Sequence, residues 1–171
     1  MTDQTPSAEV VDVVDEHDRV VGQAPRSQVY DRRLRHRCVF VLVRDGQDRV
    51  FVHRRPDHKR VFPSCYDMFV GGVVRAGESY DQAAYREAVE ELGVAHLPAP
   101  VPALKFRYDS PEHSWWSAVY QVRCVTPVSP PPDEITWHAF LTEAELHRRL
   151  GDWSWAADSL AAYHRFREAG R

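Results

Sequence analysis

Short apolar runs separated by polar turns dominate the first third of the chain. The runs at residues 10–14 and 20–23 flank a polar segment and predict a β-hairpin. Residues 37–44 form a continuous apolar run rich in valine, which is typical of a strand buried on both faces. Asp45-Gly46 indicates a turn, and residues 49–53 predict the strand that follows it.

A helix is predicted between Ser79 and Gly93. Ser79 with Gln82 three residues later fits a capping box, and Gly93 fits the left-handed residue that often ends a helix. Apolar residues recur at helical spacing in between and predict a stripe that faces the core. The stripe consists of Ala84, Ala88 and Leu92, with Tyr85 and Val89 beside it.

The other segments complete a mixed α/β pattern. Strands are predicted at 68–70 (ending at Gly71-Gly72), 101–108, 115–125 and 135–141, and helices at 143–150 and 152–168. Strands mixed with a few helices predict an α/β fold with a mixed sheet between helices. Residues 1–8 are polar and are predicted to be disordered, while 9–171 are predicted to form a single domain.

Composition narrows the class of protein and its compartment. The net charge of −3 gives no general affinity for nucleic acid or for an anionic membrane. The three cysteines, Cys38, Cys65 and Cys124, form no C-x-x-C pattern and are expected to be free thiols. No signal peptide and no apolar run of membrane-spanning length is visible, so we expect a cytoplasmic protein.

Three glutamates in the predicted helix carry the strongest chemical signal. Glu87, Glu90 and Glu91 stand at i, i+3 and i+4 and share one helix face, where like charges repel. A hard divalent cation such as Mg²⁺ prefers such oxygen ligands and would offset the repulsion. An ordinary solvated acidic helix is the alternative, but it usually has lysine at i+4, and none follows here.

The spacing of these residues resembles a known motif. Gly72, Glu78, Arg86-Glu87, Glu90-Glu91 and Gly93 fit the pattern G-x5-E-x7-R-E-U-x-E-E-x-G-U, where U is bulky and apolar. This is the box of the MutT-like Nudix hydrolase superfamily, which the chain therefore resembles. The small Ala88 departs from the usual bulky residue at its position.

The resemblance implies an α/β/α sandwich and a set of roles. Glu87, Glu90 and Glu91 would bind Mg²⁺, with Mn²⁺ as a possible substitute, together with the backbone carbonyl of Gly71. Arg86 would orient the carboxylates through charge-assisted hydrogen bonds, and Glu78 would close that network.

The general base is left open by the motif. Glu90 and Glu91 are candidates within the box. Outside it, Glu112, Asp133 and Glu134 are candidates, and Glu134 lies in a D-E-I segment similar to one found in many Nudix proteins.

A second resemblance concerns the segment V-F-V-H-R-R-P-D-H-K-R-V-F-P, which is similar to the branch containing type 1 isopentenyl-diphosphate isomerase. It implies that Arg55 and Lys59 hold a substrate diphosphate. The isomerase's catalytic cysteine is replaced by Val70 and a metal histidine by Gly72, and S-W-W-S-A-V-Y lacks the catalytic glutamate. Of the isomerase's other metal-binding histidines, only one has a counterpart in this chain, His36. A lone histidine is more often structural than a metal ligand.

These residues favour Mg²⁺-dependent hydrolysis of a phosphoanhydride in a nucleoside di- or triphosphate or a related small diphosphate. The alternatives are an isomerase-like enzyme and a non-catalytic module that binds a phosphorylated ligand. One ring of Trp115-Trp116 is expected to point inward and the other outward, where it could stack on a nucleobase or cover the core. The predicted partner is therefore a small molecule, and the sequence does not indicate an oligomeric state.

Overall fold

The computed structural model describes residues 9–170. The predicted disorder of residues 1–8 lies outside the described residues. The strands are β1 (Val10–Val14), β2 (Val20–Pro25), β3 (His36–Arg44), β4 (Val50–Arg54), β5 (Tyr66–Asp67), β6 (Val70–Val73), β7 (Val101–Asp109), β8 (Ser114–Arg123) and β9 (Trp137–Leu141). The helices are α1 (Arg26–Asp31), α2 (Tyr80–Leu92), α3 (Glu143–Arg149) and α4 (Ala157–Ala169). No helix within 9–170 has the length and apolar character needed to cross a membrane.

The main sheet is mixed and is built around β3. Strand β8 pairs with β3 in parallel over its whole length, and β7 continues the sheet antiparallel to β8. On the other side, β3 and β4 pair only at Arg44 and Val50 and then separate. Strand β6 takes the place beside β3, while β9 and β5 pair with β4. The separation of β3 from β4 divides the sheet into two parts and leaves space between them.

Side chains of β3 alternate between two hydrophobic cores, as the pleat of a strand requires. One core contains Cys38, Phe40 and Leu42 with Ala162 and Tyr163 of α4. The other contains Val39, Val41 and Val43 with Ala84, Ala88 and Leu92 of α2. The predicted burial of this strand on both faces is therefore confirmed, and so is the α/β/α sandwich. All three cysteines are free, and Cys38 and Cys124 are buried.

Helix α2 begins and ends where its sequence predicts. The Ser79 hydroxyl accepts a hydrogen bond from the Gln82 amide at 3.1 Å, and the Gln82 side chain accepts one from the Ser79 amide at 2.9 Å. Gly93 has φ of +63°, which ends the helix in the left-handed conformation. One detail of the predicted stripe is wrong: Tyr85 is exposed, whereas Ala83 is fully buried against the sheet.

The strand predicted at 68–70 is displaced in the structure. Strand β6 instead starts at Val70 and runs through both glycines to Val73. A side chain at Gly71 would bring its Cβ to 2.0 Å from the Val39 carbonyl oxygen, so glycine here allows close strand approach. The sequence pattern predicts that the glycine pair ends a strand, but the pair lies inside β6.

The C-terminal helix also begins later than the predicted residue 152. Its first residue is Ala157, because the preceding segment is engaged by the edge of the sheet. The Tyr66 amide donates to the Ser154 carbonyl at 2.8 Å, and the Ala156 amide donates back to Tyr66 at 2.9 Å. Backbone groups used in this bridge to β5 are not available to a helix.

Candidate functional site

A cavity of about 1420 Å³ opens beside the C-terminal half of α2. One side, which we call the helix wall, is formed by Gly71, Gly72, Arg86, Glu87, Glu90 and Glu91. The facing side, which we call the loop wall, is formed by Arg55, Lys59, Asp133 and Glu134. The structure therefore brings the glutamates and the basic residues predicted from sequence to a single cavity.

Arg86 is the centre of the helix wall. Its Nε and Nη2 atoms donate to the two carboxylate oxygens of Glu78 at 2.7 and 2.8 Å. Its Nη1 donates to Glu87 at 2.6 Å, and Nη2 also donates to the Val73 carbonyl at 3.2 Å. Glu90 lies 3.5 Å from the same guanidinium. One arginine thus joins α2 to the end of β6 and to the turn that carries Glu78.

The glycine pair lets the carboxylates approach the backbone of β6. A Cβ on Gly72 would lie 2.7 Å from the Glu87 carboxylate, so any side chain there would displace it. The Gly71 amide donates to Glu91 Oε2 at 3.2 Å. Both contacts fix glutamates of α2 against the strand that precedes the helix in the chain.

The charges of this wall are unequally compensated. Burial raises the pKa of Glu87, although Arg86 works against the shift. Burial and the neighbouring Glu87 charge raise the pKa of Glu91 well above its usual range. Burial would also raise the pKa of Glu78, but its hydrogen bonds with Arg86 lower it instead. Glu91 has no ion-pair partner among residues 9–170, so the burial of its charged form is the least compensated of the three.

The donor set of this wall suits a divalent cation. Within residues 9–170, no three His, Cys, Asp or Glu side chains stand close enough together to hold a metal ion unaided. Glu87 accepts a hydrogen bond from Arg86, and Glu91 accepts one from the Gly71 amide. The oxygen ligands and the raised pKa of Glu91 nevertheless match what Mg²⁺ would bind and stabilise. The donor set thus fits a divalent cation, and Mg²⁺ as that cation stays a prediction.

The loop wall supplies the positive charge. Arg55 donates from Nε and Nη2 to the Val61 carbonyl at 3.2 and 3.0 Å, and it forms no ion pair among the described residues. Lys59 Nζ lies 2.5 Å from Glu134 Oε2. Of the three outside candidates for the base, Asp133 and Glu134 line the cavity. Glu112 is exposed in the turn between β7 and β8 and is not among the lining residues.

Sequence reasoning missed a pair of buried carboxyl groups that line the same cavity. Asp67 accepts hydrogen bonds from the Phe69 amide at 2.8 Å and from the Ser159 hydroxyl at 2.7 Å. Burial, with Asp67 as a neighbouring charge, raises the pKa of Asp158 to about 7. These residues stand ninety-one positions apart at a strand end and a helix start, so no local motif could have indicated them.

The two adjacent tryptophans point to opposite sides of β8, as predicted. Trp115 is buried and its ring borders the cavity. Trp116 lies on the other face, where its indole nitrogen donates to the Asp15 carbonyl at 3.2 Å.

His36 is buried, with Nδ1 3.1 Å from the Leu34 carbonyl, and burial lowers its pKa to about 4. A neutral histidine held in this way fits a structural role.

Comparison with known proteins agrees with this arrangement. A model of the NUDIX domain matches residues 34–163. An uncharacterized Nudix hydrolase of Streptomyces coelicolor is 61% identical over 160 residues, covering 93% of this chain and 88% of the relative. The crystal structure of DR0079 from Deinococcus radiodurans is 34% identical with a TM-score of 0.77, covering 95% of this chain and 100% of that chain.

A more distant structure shares the fold alone. The Nudix domain of NrtR from Shewanella oneidensis, in a cocrystal structure with ADP ribose, has a TM-score of 0.61 at 15% identity. The match covers 78% of this chain and 87% of that domain.

An α/β/α sandwich that presents an arginine-clamped set of helix glutamates to a cavity defines the Nudix class of protein. The length and identity of these matches show that this chain belongs to the Nudix hydrolase family. Members of this family generally use divalent metal ions.

Proposed function

We propose that the protein is a Mg²⁺-dependent hydrolase of a nucleoside di- or triphosphate or a related small diphosphate, in which water attacks phosphorus. One observation carries the proposal. A helix wall with partly uncompensated carboxylates faces a loop wall with Arg55 and Lys59 across one cavity. Phosphoanhydride hydrolysis needs both, because the phosphates need cations and the attacking water needs activation.

Each wall takes part of the chemistry in this proposal. Glu87, Glu90, Glu91 and the Gly71 carbonyl would hold Mg²⁺, or Mn²⁺ in its place. The bound ion would neutralise phosphate charge and lower the pKa of a water molecule.

Protein residues do the rest of the work. Arg86 and Glu78 keep the carboxylates in position, and Arg55 and Lys59 hold the diphosphate. Glu90, Glu91 or Glu134 would take the proton from the attacking water.

The size of the cavity supports a nucleotide-sized ligand. Its volume of about 1420 Å³ exceeds the roughly 300–1,000 Å³ typical of small-molecule sites. The distant Shewanella Nudix domain was crystallised with ADP ribose, a small nucleotide-like molecule with a diphosphate. We propose the same general class of partner here, with residues 9–171 acting as one domain in the cytoplasm, away from membranes and without general binding to nucleic acids.

The test is turnover by the purified protein with Mg²⁺. The panel should contain nucleoside mono-, di- and triphosphates, sugar nucleotides, dinucleoside polyphosphates and isopentenyl diphosphate, with Glu90→Gln as the inactive comparison. Release of phosphate or pyrophosphate that the variant loses would support the hydrolase. Conversion of isopentenyl diphosphate would support the isomerase instead. Binding without turnover on any member would overturn the hydrolase and favour a binding module.

A further inference from the structure

One ion pair crosses the loop wall of the cavity and joins two different loops. Lys59 Nζ and Glu134 Oε2 are 2.5 Å apart, and their side chains keep 26% and 38% of their exposure. Both line the cavity that also contains Glu91. A pair this accessible can be opened by a ligand, because exposed ion pairs contribute little to stability.

The loops that carry this pair are anchored elsewhere. In the first loop, the Arg55 amide donates to the Cys65 carbonyl at 2.9 Å. In the second, the Ser129 amide donates to Leu92 at 2.8 Å, and the Thr136 amide donates to Arg54 at 3.1 Å. These backbone bonds hold both loops to the sheet and to α2, so the ion pair is not needed to close them. Its place at the cavity calls for another role.

We propose that this ion pair is an exchangeable contact, in which the diphosphate of the substrate replaces Glu134 as the partner of Lys59. The inference rests on the proposed function, since it assigns Lys59 to the diphosphate. In the free protein the Lys59 ammonium and the Glu134 carboxylate form an ion pair with each other. Ligand binding transfers the ammonium to phosphate oxygens and leaves the Glu134 carboxylate free within the cavity.

The exchange has two linked consequences. A ligand that binds Lys59 must first break the ion pair. Its apparent affinity is therefore its intrinsic affinity multiplied by the fraction of protein in which the pair is open. In return, a bound phosphate raises the fraction of protein in which the Glu134 carboxylate is free, because the two events share one cation. Glu134 is therefore a positioning residue for Lys59 in the free protein and a carboxylate released by the substrate.

Arg55 provides the contrast within the same wall. Its guanidinium donates to a neutral backbone carbonyl and is in no ion pair among the described residues. It can contact a phosphate without displacing an acidic group. The exchange is thus specific to Lys59, and mutations should separate it from the general positive charge of the wall.

The test is calorimetric binding of methylenediphosphonate, a diphosphate analogue that water does not cleave, with Mg²⁺ present. The variants are Glu134→Gln, Asp133→Asn, Lys59→Met and the double variant Lys59→Met/Glu134→Gln. Asp133 is the matched control, because it lines the same cavity from the adjacent position and forms no ion pair in the described structure. Melting temperatures check that every variant folds.

Glu134→Gln is expected to bind the probe about two- to fivefold more tightly than the wild type, in line with the strength of an exposed ion pair. Asp133→Asn should change affinity less than twofold, since only a screened charge is lost. In the Lys59→Met background, Glu134→Gln should likewise change affinity less than twofold. Equal gains from Glu134→Gln and Asp133→Asn, or a gain that persists without Lys59, would overturn the exchange.

Turnover separates this inference from the proposed function. If a substrate is found, Glu134→Gln should lower KM and kcat together, whereas a merely structural role would not tighten binding. If no substrate is found but the binding pattern holds, the exchange stands and the hydrolase proposal fails. If turnover is normal but the binding pattern is absent, the reverse is true.

Discussion

The two walls of the cavity are held in different ways. On the helix wall, Arg86 alone makes four hydrogen bonds to three partners, and the glycine strand presses against the carboxylates. On the loop wall, Lys59 has a single partner, and the Arg55 side chain bonds only to a carbonyl. The helix wall is therefore fixed by hydrogen bonds within the protein, whereas the proposed exchange lets the loop wall change partners when a ligand binds. Changes to the first should affect both stability and activity, and changes to the second should affect mainly affinity.

The largest expected effect is on activity, from Glu91→Gln. Loss of one carboxylate from the helix wall should lower kcat by about 100-fold or more, because the proposed function uses Glu91 to hold the metal ion or to take the proton from water. Without metal and at neutral pH, the same change should raise the melting temperature, because it removes a carboxyl group whose charged form is disfavoured by burial and has no ion-pair partner among the described residues. Activity assays and calorimetric melting measure the two effects. Tyr85→Gln, on the exposed side of α2, is the control, and a fall in both quantities would contradict the argument.

The next largest effect is the stability loss from Arg86→Ala. Removing the guanidinium leaves Glu78 and Glu87 without their shared partner, which costs about 3–5 kcal/mol for a buried network. Denaturant unfolding gives the free energy. The control is Arg75→Ala, which breaks an exposed pair with Glu9 at 2.9 Å and should cost no more than about 1 kcal/mol. Similar losses in the two variants would mean that the clamp does not stabilise the wall.

A smaller loss of stability is expected from Gly93→Ala, where the end of α2 contacts the loop that carries Glu134. Both Gly93 and Gly77 have positive φ, at +63° and +74°, where alanine costs about 1–2 kcal/mol. Only at Gly93 would the new Cβ meet an obstacle, the Ser129 carbonyl at 1.9 Å. Unfolding should therefore show a clearly larger loss for Gly93→Ala than for Gly77→Ala. Equal losses would show that the loop moves freely away from the helix.

The smallest stability effect is expected from Lys59→Met on the loop wall. The fold should lose less than about 1 kcal/mol, since the broken ion pair is partly exposed. Affinity for a diphosphate ligand should nevertheless fall measurably, because one of its cationic contacts is gone. Unfolding and calorimetric binding on the same preparation make the comparison. A stability loss comparable to that of Arg86→Ala would remove the distinction between the two walls.

The helix wall could be predicted from sequence because its residues are close together in the chain. Capping residues, the i, i+3 and i+4 glutamates and the preceding glycines all lie within one turn, strand and helix. Local spacing is enough to place such groups on one face. The confirmed boundaries of α2 follow from the same local rules, in which Ser79 and Gly93 satisfy the ends of the helix.

The partners within the loop wall and the buried carboxyl groups of Asp67 and Asp158 could not be predicted in this way. The pairing of Lys59 with Glu134 and of Asp67 with Ser159 depends on how distant segments meet in the sheet. The glycine pair is predicted to end a strand because its close approach to β3, which explains why it lies inside β6, is a tertiary property. The late start of α4 has the same origin, because β5 takes the backbone groups of residues 154–156.

The parallel pairing of β3 with β8 has a consequence for how the protein is made. His36 lies opposite Trp115 and Arg44 lies opposite Arg123. The central strand β3 therefore cannot pair with β8 until much of the chain has been synthesised. Non-local pairing of this kind is slow to form. Until then one edge of β3 lacks its parallel partner, and the run from Cys38 to Val43 combines high β-propensity with no charged residue. Chaperone binding during synthesis should therefore concentrate on this strand, and expression at low temperature should favour soluble protein.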